Sequence, residues 1–205
     1  MTTSNYDAII QANLQAAFEL GKTELAERLG AASAMDTLDF RAFGTACCID
    51  GAVVRLKGEI DRGPRGVIIS LLARHARREN GIEKPWRAFR ELPDSMPYVG
   101  AFRARTEMPL VPRVAALVAA AAKMAARLGG VVAAQPVSGD CGLVLEPLPK
   151  VKLCYLLYCP DEDFPANATC LFSANADRFL PTDALADVGE YTTRAMIDAL
   201  ARGLR

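Results

Sequence analysis

Two groups of side chains in this sequence have the types and spacing to do chemistry. Between Pro85 and Pro109, Arg87, Arg90, Arg103 and Arg105 interleave with Trp86, Phe89, Tyr98 and Phe102. Guanidinium groups pair with phosphate or carboxylate and aromatic faces stack on planar groups, so this mixture suits a flat anionic ligand. The same mixture arises when arginine stems simply lie over aromatic surface. The second group is Asp161-Glu162-Asp163, three consecutive carboxylates that repel one another unless something positive stands beside them. They read as oxygen ligands for a metal or a basic partner, as a solvated hairpin turn, or as an internal lock neutralised by Arg87, Arg90 or Arg103 folding back. Set opposite each other, the two groups would form the walls of a groove with opposite fields. An enzymatic alternative uses Asp161, Glu162 or Glu91 as general base or metal ligand, with Arg90 stabilising developing negative charge.

Other chemistries find little footing. The patterns G-x-x-x-x-G-K-[ST], G-x-G-x-x-G and G-x-S-x-G are all missing. His75 is the one imidazole, placed by its spacing at the edge of an apolar helical stripe, so a Ser-His-Asp or Cys-His mechanism has a single residue to draw on. The six cysteines show no C-x-x-C pair. Cys47 and Cys48 point to opposite faces of a strand, Cys159 and Cys170 flank a hairpin connection, and all six read chiefly as small hydrophobes in a reducing compartment. Which metal, if any, the chain holds stays open.

Lys plus Arg is 24 and Asp plus Glu is 24, which disfavours a nucleic-acid coat or a membrane-surface protein. The neutrality hides a separation: residues 62–113 carry 11 basic and 5 acidic side chains, residues 135–205 carry 6 and 10. The start lacks a basic region followed by an apolar one, and the longest apolar run, Val114 to Ala122, falls well short of the roughly 20 residues a bilayer crossing needs. The expectation is a cytoplasmic protein without nucleic-acid or membrane partners.

The elements that must position these groups follow from periodicity. Ser4 or Asn5 caps a helix bearing Ile10, Leu14, Ala17 and Phe18, and Thr23 to Leu29 forms a second, stopped by Gly30. Strands are predicted at Ala46 to Ile49 and Ala52 to Leu56 around Asp50-Gly51, then a loop from Glu59 to Gly66 and a helix from Val67 to Asn80. Five prolines keep Gly81 to Pro112 irregular, although its aromatics give it something to bury. Arg113 to Leu128 is helical, Leu143 to Glu146 and Val151 to Tyr158 are strands, and Ala168 to Phe172 is the antiparallel partner of the latter. A last helix, capped by Thr182, buries Leu185, Val188, Thr192, Ala195, Met196 and Ala199. Strands and helices without regular alternation make this α+β, one compact domain over residues 1–205, with a helical cap at 1–35 and the α+β body at 36–205.

Several stretches resemble an uncharacterised prokaryotic family, domain of unknown function 3786. They are Lys84-Pro85-Trp86-Arg87-Ala88-Phe89-Arg90-Glu91-Leu92-Pro93, Tyr98, Ala101-Phe102, Leu128-Gly129-Gly130, Gly139-Asp140 and Leu148-Pro149. The likeness continues through Asp161 to Pro165, Leu171-Phe172, Asn175-Ala176 and Phe179 to Thr182, ending at Leu185-Ala186-Asp187-Val188-Gly189-Glu190. Departures are Cys159-Pro160, where a glycine usually precedes the acidic triplet, and Asp94 to Pro97, which replaces a glycine-bearing turn. The resemblance implies a family of anaerobic bacteria and archaea, some members of which accompany a four-cysteine iron-sulfur module like that of corrinoid proteins in one-carbon metabolism. It implies a binding or accessory protein whose partner is a corrinoid or iron-sulfur protein. Any cluster would belong to that partner. The candidate binding set is then Trp86, Phe89, Arg90, Glu91, Tyr98, Asp161, Glu162, Asp163 and Asn175.

Overall fold

The computed structural model describes residues 5–134 and 138–203. Asn5–Phe18 forms α1, so the alternative cap Ser4 lies outside the described residues, and Lys22–Leu29 forms α2. Gly30, at φ +64°, ends α2 because its N–H and that of Ala31 turn back onto the carbonyls of Glu27 and Ala26. Helix α3, Pro64–Arg74, starts at Pro64 instead of Val67 and ends at His75 instead of Asn80, its fixed proline φ being suited to a first turn. Between α1 and α3, Asn13 donates to Ser70 Oγ and accepts from Arg74.

Five short strands between α2 and α3 form an antiparallel meander: β1 (Ala32–Ala34), β2 (Thr37–Ala42), β3 (Thr45–Ile49), β4 (Val54–Leu56) and β5 (Glu59–Ile60). The expected hairpin is β3–β4, with a wider turn than Asp50-Gly51 alone. Asp50 Oδ1 accepts the N–H groups of Ala52 and Val53, which delays the second strand to Val54. The expected loop at Glu59 holds β5, and β2 is a strand that the sequence expectation omits.

A second antiparallel sheet carries the larger core. Its strands are β6 (Arg87–Ala88), β7 (Gly130–Val132), β8 (Cys141–Leu148), β9 (Val151–Tyr158) and β10 (Asn167–Phe172), in the order β6-β10-β9-β8-β7. Strand β9 is central, and its register with β10 runs from Tyr158 opposite Asn167 to Leu153 opposite Phe172. Alternate residues Leu143, Leu145, Leu153, Tyr155, Leu157, Cys170 and Phe172 are all at most 1% exposed and face the helical layer. That layer is α4 (Val99–Phe102), α5 (Val114–Ala119), α6 (Ala121–Leu128) and α7 (Thr182–Ala201).

The helix expected over Arg113 to Leu128 is two, α5 and α6. The apolar segments Met96–Ala119 and Ala121–Leu128 meet at 102°, and among the described residues no single helix is long and apolar enough to cross a membrane. Their apolar side chains Leu110, Val114, Leu117, Met124 and Leu128 are buried in the protein core instead. Helix α7 buries Leu185, Val188, Thr192, Met196 and Ala199 as expected, with Ala195 half-buried. Thr182 is no cap: its hydroxyl donates to the Pro93 carbonyl at 2.7 Å and ties the start of α7 to the proline-broken segment. The result is a single α+β domain with a helical N-terminal segment.

Candidate functional site

The proline-broken segment is ordered by long-range contacts. It enters as β6, whose Ala88 lies opposite Leu171, and turns through Phe89–Glu91, where Glu91 Oε2 accepts the Ala88 N–H at 2.7 Å. The turn throws Phe89 inward, where its ring stacks on Phe102 at 4.3 Å with 9° between planes and both tilt against Phe172 at under 6 Å. The chain then runs through α4 into a π-helical turn, Arg103–Glu107. Glu107 closes it by accepting the Cys170 N–H of β10 on Oε1 at 3.0 Å, and burial pushes its carboxyl above the usual carboxylate range.

Helix α7 lies against this segment because residue 189 is glycine. A Cβ there would stand 2.7 Å from Phe102 Cε2 and 3.1 Å from Thr106 Cγ2 and Oγ1. Where α4 and α7 diverge, a cleft of about 240 Å³ opens. Tyr98, Ala101, Phe102 and Arg105 form one wall, and Asp183, Ala186, Asp187 and Glu190, spaced to share a helix face, form the other. Glu190 is 7% exposed and lies 3.6 Å from Arg105 Nη1, with Arg194 pairing its other oxygen. Asp187 is pushed above the usual carboxylate range by burial first, then by the charges of Glu190 and Asp183; Arg105 and Arg194 oppose the rise. Tyr98 is 40% exposed at the rim. The arrangement can hold a cationic or proton-donating group against Asp187 while an apolar body lies on the Tyr98 ring.

Two further features lie in the segment behind this wall. A π-turn is a rare distortion that recurs at functional positions. The buried Thr106 hydroxyl next to Gly189 has no hydrogen-bond partner among the described residues, a state that costs about 1–3 kcal/mol.

The residues expected from sequence are distributed differently. Tyr98 belongs to the cleft and Phe89 to the core supporting it. Trp86 packs with Val144, Cys154 and Leu156 on the outer face of the larger sheet. Asn175 clamps the chain before β6, accepting from Ile82 N and donating to the Asn80 carbonyl. Arg90 is exposed. Asp161 Oδ1 accepts the N–H groups of Asp163 and Phe164, so the acidic triplet is an exposed hairpin turn capped by its own first carboxylate.

The opposed groove is not formed. β6 lies at the Phe172 end of β10 and the acidic turn precedes Asn167, so Leu171 to Asn167 alone separates them by about 13 Å along the strand. Among the described residues no ion pair joins Arg87, Arg90 or Arg103 to Asp161, Glu162 or Asp163, and Arg87 pairs with Asp177 at 3.3 Å instead. Asp183, Asp187 and Glu190 are not among the expected site residues, although Glu190, a carboxylate flanked by Val188 and Thr192 on a buried stripe, is the kind of anomaly that points to one.

The six cysteines are free thiols. Cys170 sits opposite Tyr155 within the core while Cys159 lies past the other end of β9, with its N–H on Asp140 Oδ2, so the two do not approach. Among the described residues no three His, Cys, Asp or Glu side chains are grouped to hold a metal ion.

The chain matches Domain of unknown function (DUF3786) over residues 22–195. It belongs to that family. No curated protein and no solved structure matches it. In this DUF3786 chain, stretches quoted above for the resemblance supply six of the eight residues around the cleft: Tyr98, Ala101 and Phe102 from one side, Ala186, Asp187 and Glu190 from the other.

Proposed function

We propose that this DUF3786 chain is a binding or accessory module whose seat is the cleft between Tyr98, Phe102 and Arg105 and the face of α7 bearing Asp183, Asp187 and Glu190. The observation that carries the reading is the convergence there of two sequence stretches some 85 positions apart, both of which carry the family resemblance. The lining suits a basic side chain flanked by apolar surface. Asp187 and Asp183 meet the cation, and the Tyr98 ring covers the neighbouring apolar atoms. The partner that the resemblance implies is a corrinoid or iron-sulfur protein, which brings its own cofactor. The catalytic alternative has less behind it, because Glu91 is engaged with Ala88 N, Asp161 with its own turn, and Glu162 is exposed.

The test is a calorimetric titration of the chain with a purified corrinoid iron-sulfur protein, repeated with Tyr98→Ala and Asp187→Asn. Each variant is expected to bind about tenfold more weakly, the loss typical of one anchoring contact. Equal affinity for the native chain and both variants would refute the cleft as the seat. No association at about 0.1 mM, a concentration that detects even weak complexes, would refute the partner class.

A further inference from the structure

The second half of α7 borders a different cleft, and its lining has the opposite sign. A cavity of about 350 Å³ lies between the β2–β3 turn, the ends of α6 and α7, and the start of α3. Four cations line it, Lys57, Arg65, Arg127 and Arg202, against one carboxylate, Asp198. They come from four separate elements: the turn between β4 and β5, the first turn of α3, the last turn of α6 and the residue closing α7.

Helix ends account for only part of this gathering. The C-terminal end of a helix carries about half a negative charge, so Arg127 and Arg202 are well placed by that effect alone. The same effect works against Arg65, which stands at the positive end of α3 and is held by Asp61 at 3.0 Å. Lys57 gains nothing from a helix end, and neither Lys57 nor Arg202 makes an ion pair among the described residues. The close approach of the β2–β3 turn builds the cavity wall. Phe43 and Gly44 both have positive φ, and a Cβ on Gly44 would meet Leu128 Cα and Cδ2 at 3.0 Å, so the turn sits directly on the end of α6. Thr45 and Asp198 add a hydroxyl and a carboxylate to the lining, groups that hydrogen-bond to hydroxyls.

We infer that this cleft binds a small phosphorylated polyol, its phosphate among Lys57, Arg65, Arg127 and Arg202 and its hydroxyls toward Thr45 and Asp198. The volume exceeds that of a bare phosphate and lies at the lower end of the range for small-molecule sites, about 300–1,000 Å³. This site shares no lining residue with the Tyr98–Asp187 cleft, so it stands or falls separately from the proposed partner seat.

The experiment is isothermal titration of the full chain with ribose 5-phosphate, ribose, inorganic phosphate and an oligothymidylate, repeated on Lys57→Ala and Arg202→Ala. Both side chains are exposed, and circular dichroism of each variant verifies that the fold is intact. Ribose 5-phosphate is expected to bind more tightly than inorganic phosphate, ribose to give no signal, and either substitution to weaken the sugar phosphate about tenfold, with affinity falling as salt rises. Inorganic phosphate binding as well as the sugar phosphate would overturn the polyol assignment. Undiminished binding in both folded variants, or no phosphate binding at all, would overturn the site. Tighter, steeply salt-dependent binding of the oligothymidylate would replace it with a nucleic-acid surface.

Discussion

Replacing Gly189 with alanine tests the contact on which the Tyr98–Asp187 cleft depends. In an ordinary helix interior the change would stabilise by roughly 0.5–1 kcal/mol, because glycine loses more backbone freedom on folding. Here the new methyl would stand 2.7 Å from Phe102 Cε2, against the roughly 3.5–4.0 Å that carbon atoms prefer, so α4 or α7 must retreat by about 1 Å. Phe102 cannot swing aside, since its ring is stacked on Phe89 at 4.3 Å and backed by Phe172. Overpacking of this kind costs about 1–3 kcal/mol, so after the propensity gain the net loss is about 1 kcal/mol at mid-range and about 2.5 kcal/mol at most. For a domain of this size that lowers Tm by roughly 2–8 °C. Urea and thermal unfolding of Gly189→Ala, followed by circular dichroism, measure it. A variant as stable as the native chain or more so would mean that the walls are free to part and that the close approach of α4 to α7 does not set the cleft.

Other consequences follow from the same geometry. The folded-state pKa of Asp187 is raised, so folding favours its protonated form: the relative stability it confers is fully present below the ordinary aspartate value and is lost as pH rises through the higher folded value. Asp187→Asn should therefore flatten the decline in stability across that window, seen as a smaller pH dependence of the urea midpoint; an unchanged slope would contradict the assignment. Cys47, Cys154 and Cys170 are buried and burial pushes their thiols up, Cys154 to about 11, so iodoacetamide at neutral pH should label the half-buried Cys159 while leaving those three unmodified in the folded protein, as read by mass spectrometry. Asp161→Ala should cost about 1 kcal/mol by uncapping two N–H groups of the β9–β10 turn, and Arg90→Ala should leave stability within about 0.5 kcal/mol. Neither should alter binding at the Tyr98–Asp187 cleft; a tenfold effect from either would restore the groove between the arginine segment and the acidic turn.

What the sequence makes legible is local. Leu185, Val188, Thr192, Met196 and Ala199 mark the buried stripe of α7 because a helix repeats every 3.6 residues whatever surrounds it. The apolar run Val151 to Tyr158 marks the central strand for a similar reason. Residues 81–112 show no such signal, since their order comes from contacts distant in sequence: Phe89 with Phe172, Glu107 with the Cys170 N–H, Pro93 with Thr182. Tyr98 is legible as a candidate from type alone, while its neighbours across the cleft are not. The charges mislead for a related reason. Opposite signs in two segments say nothing about distance, and the arginines found nearer carboxylates, Arg87 with Asp177 and Arg105 with Glu190.

The charges along α7 separate function from helix stability. Asp183 stands in the first turn, where the positive end of the helix favours a carboxylate, so its presence needs no ligand to explain it. That effect fades within a turn and offers little to Asp187 and less to Glu190. Glu190 is buried and held by Arg105 and Arg194, and Asp187 pays for its neighbours with a raised proton affinity. An alanine or glutamine at 187 would satisfy the helix equally well, whereas Glu190 gains from its pair with Arg194 one turn on. Asp187, a carboxylate from which helix formation gains little and which burial disfavours, is on the proposed reading better accounted for by what enters the cleft than by what holds the fold.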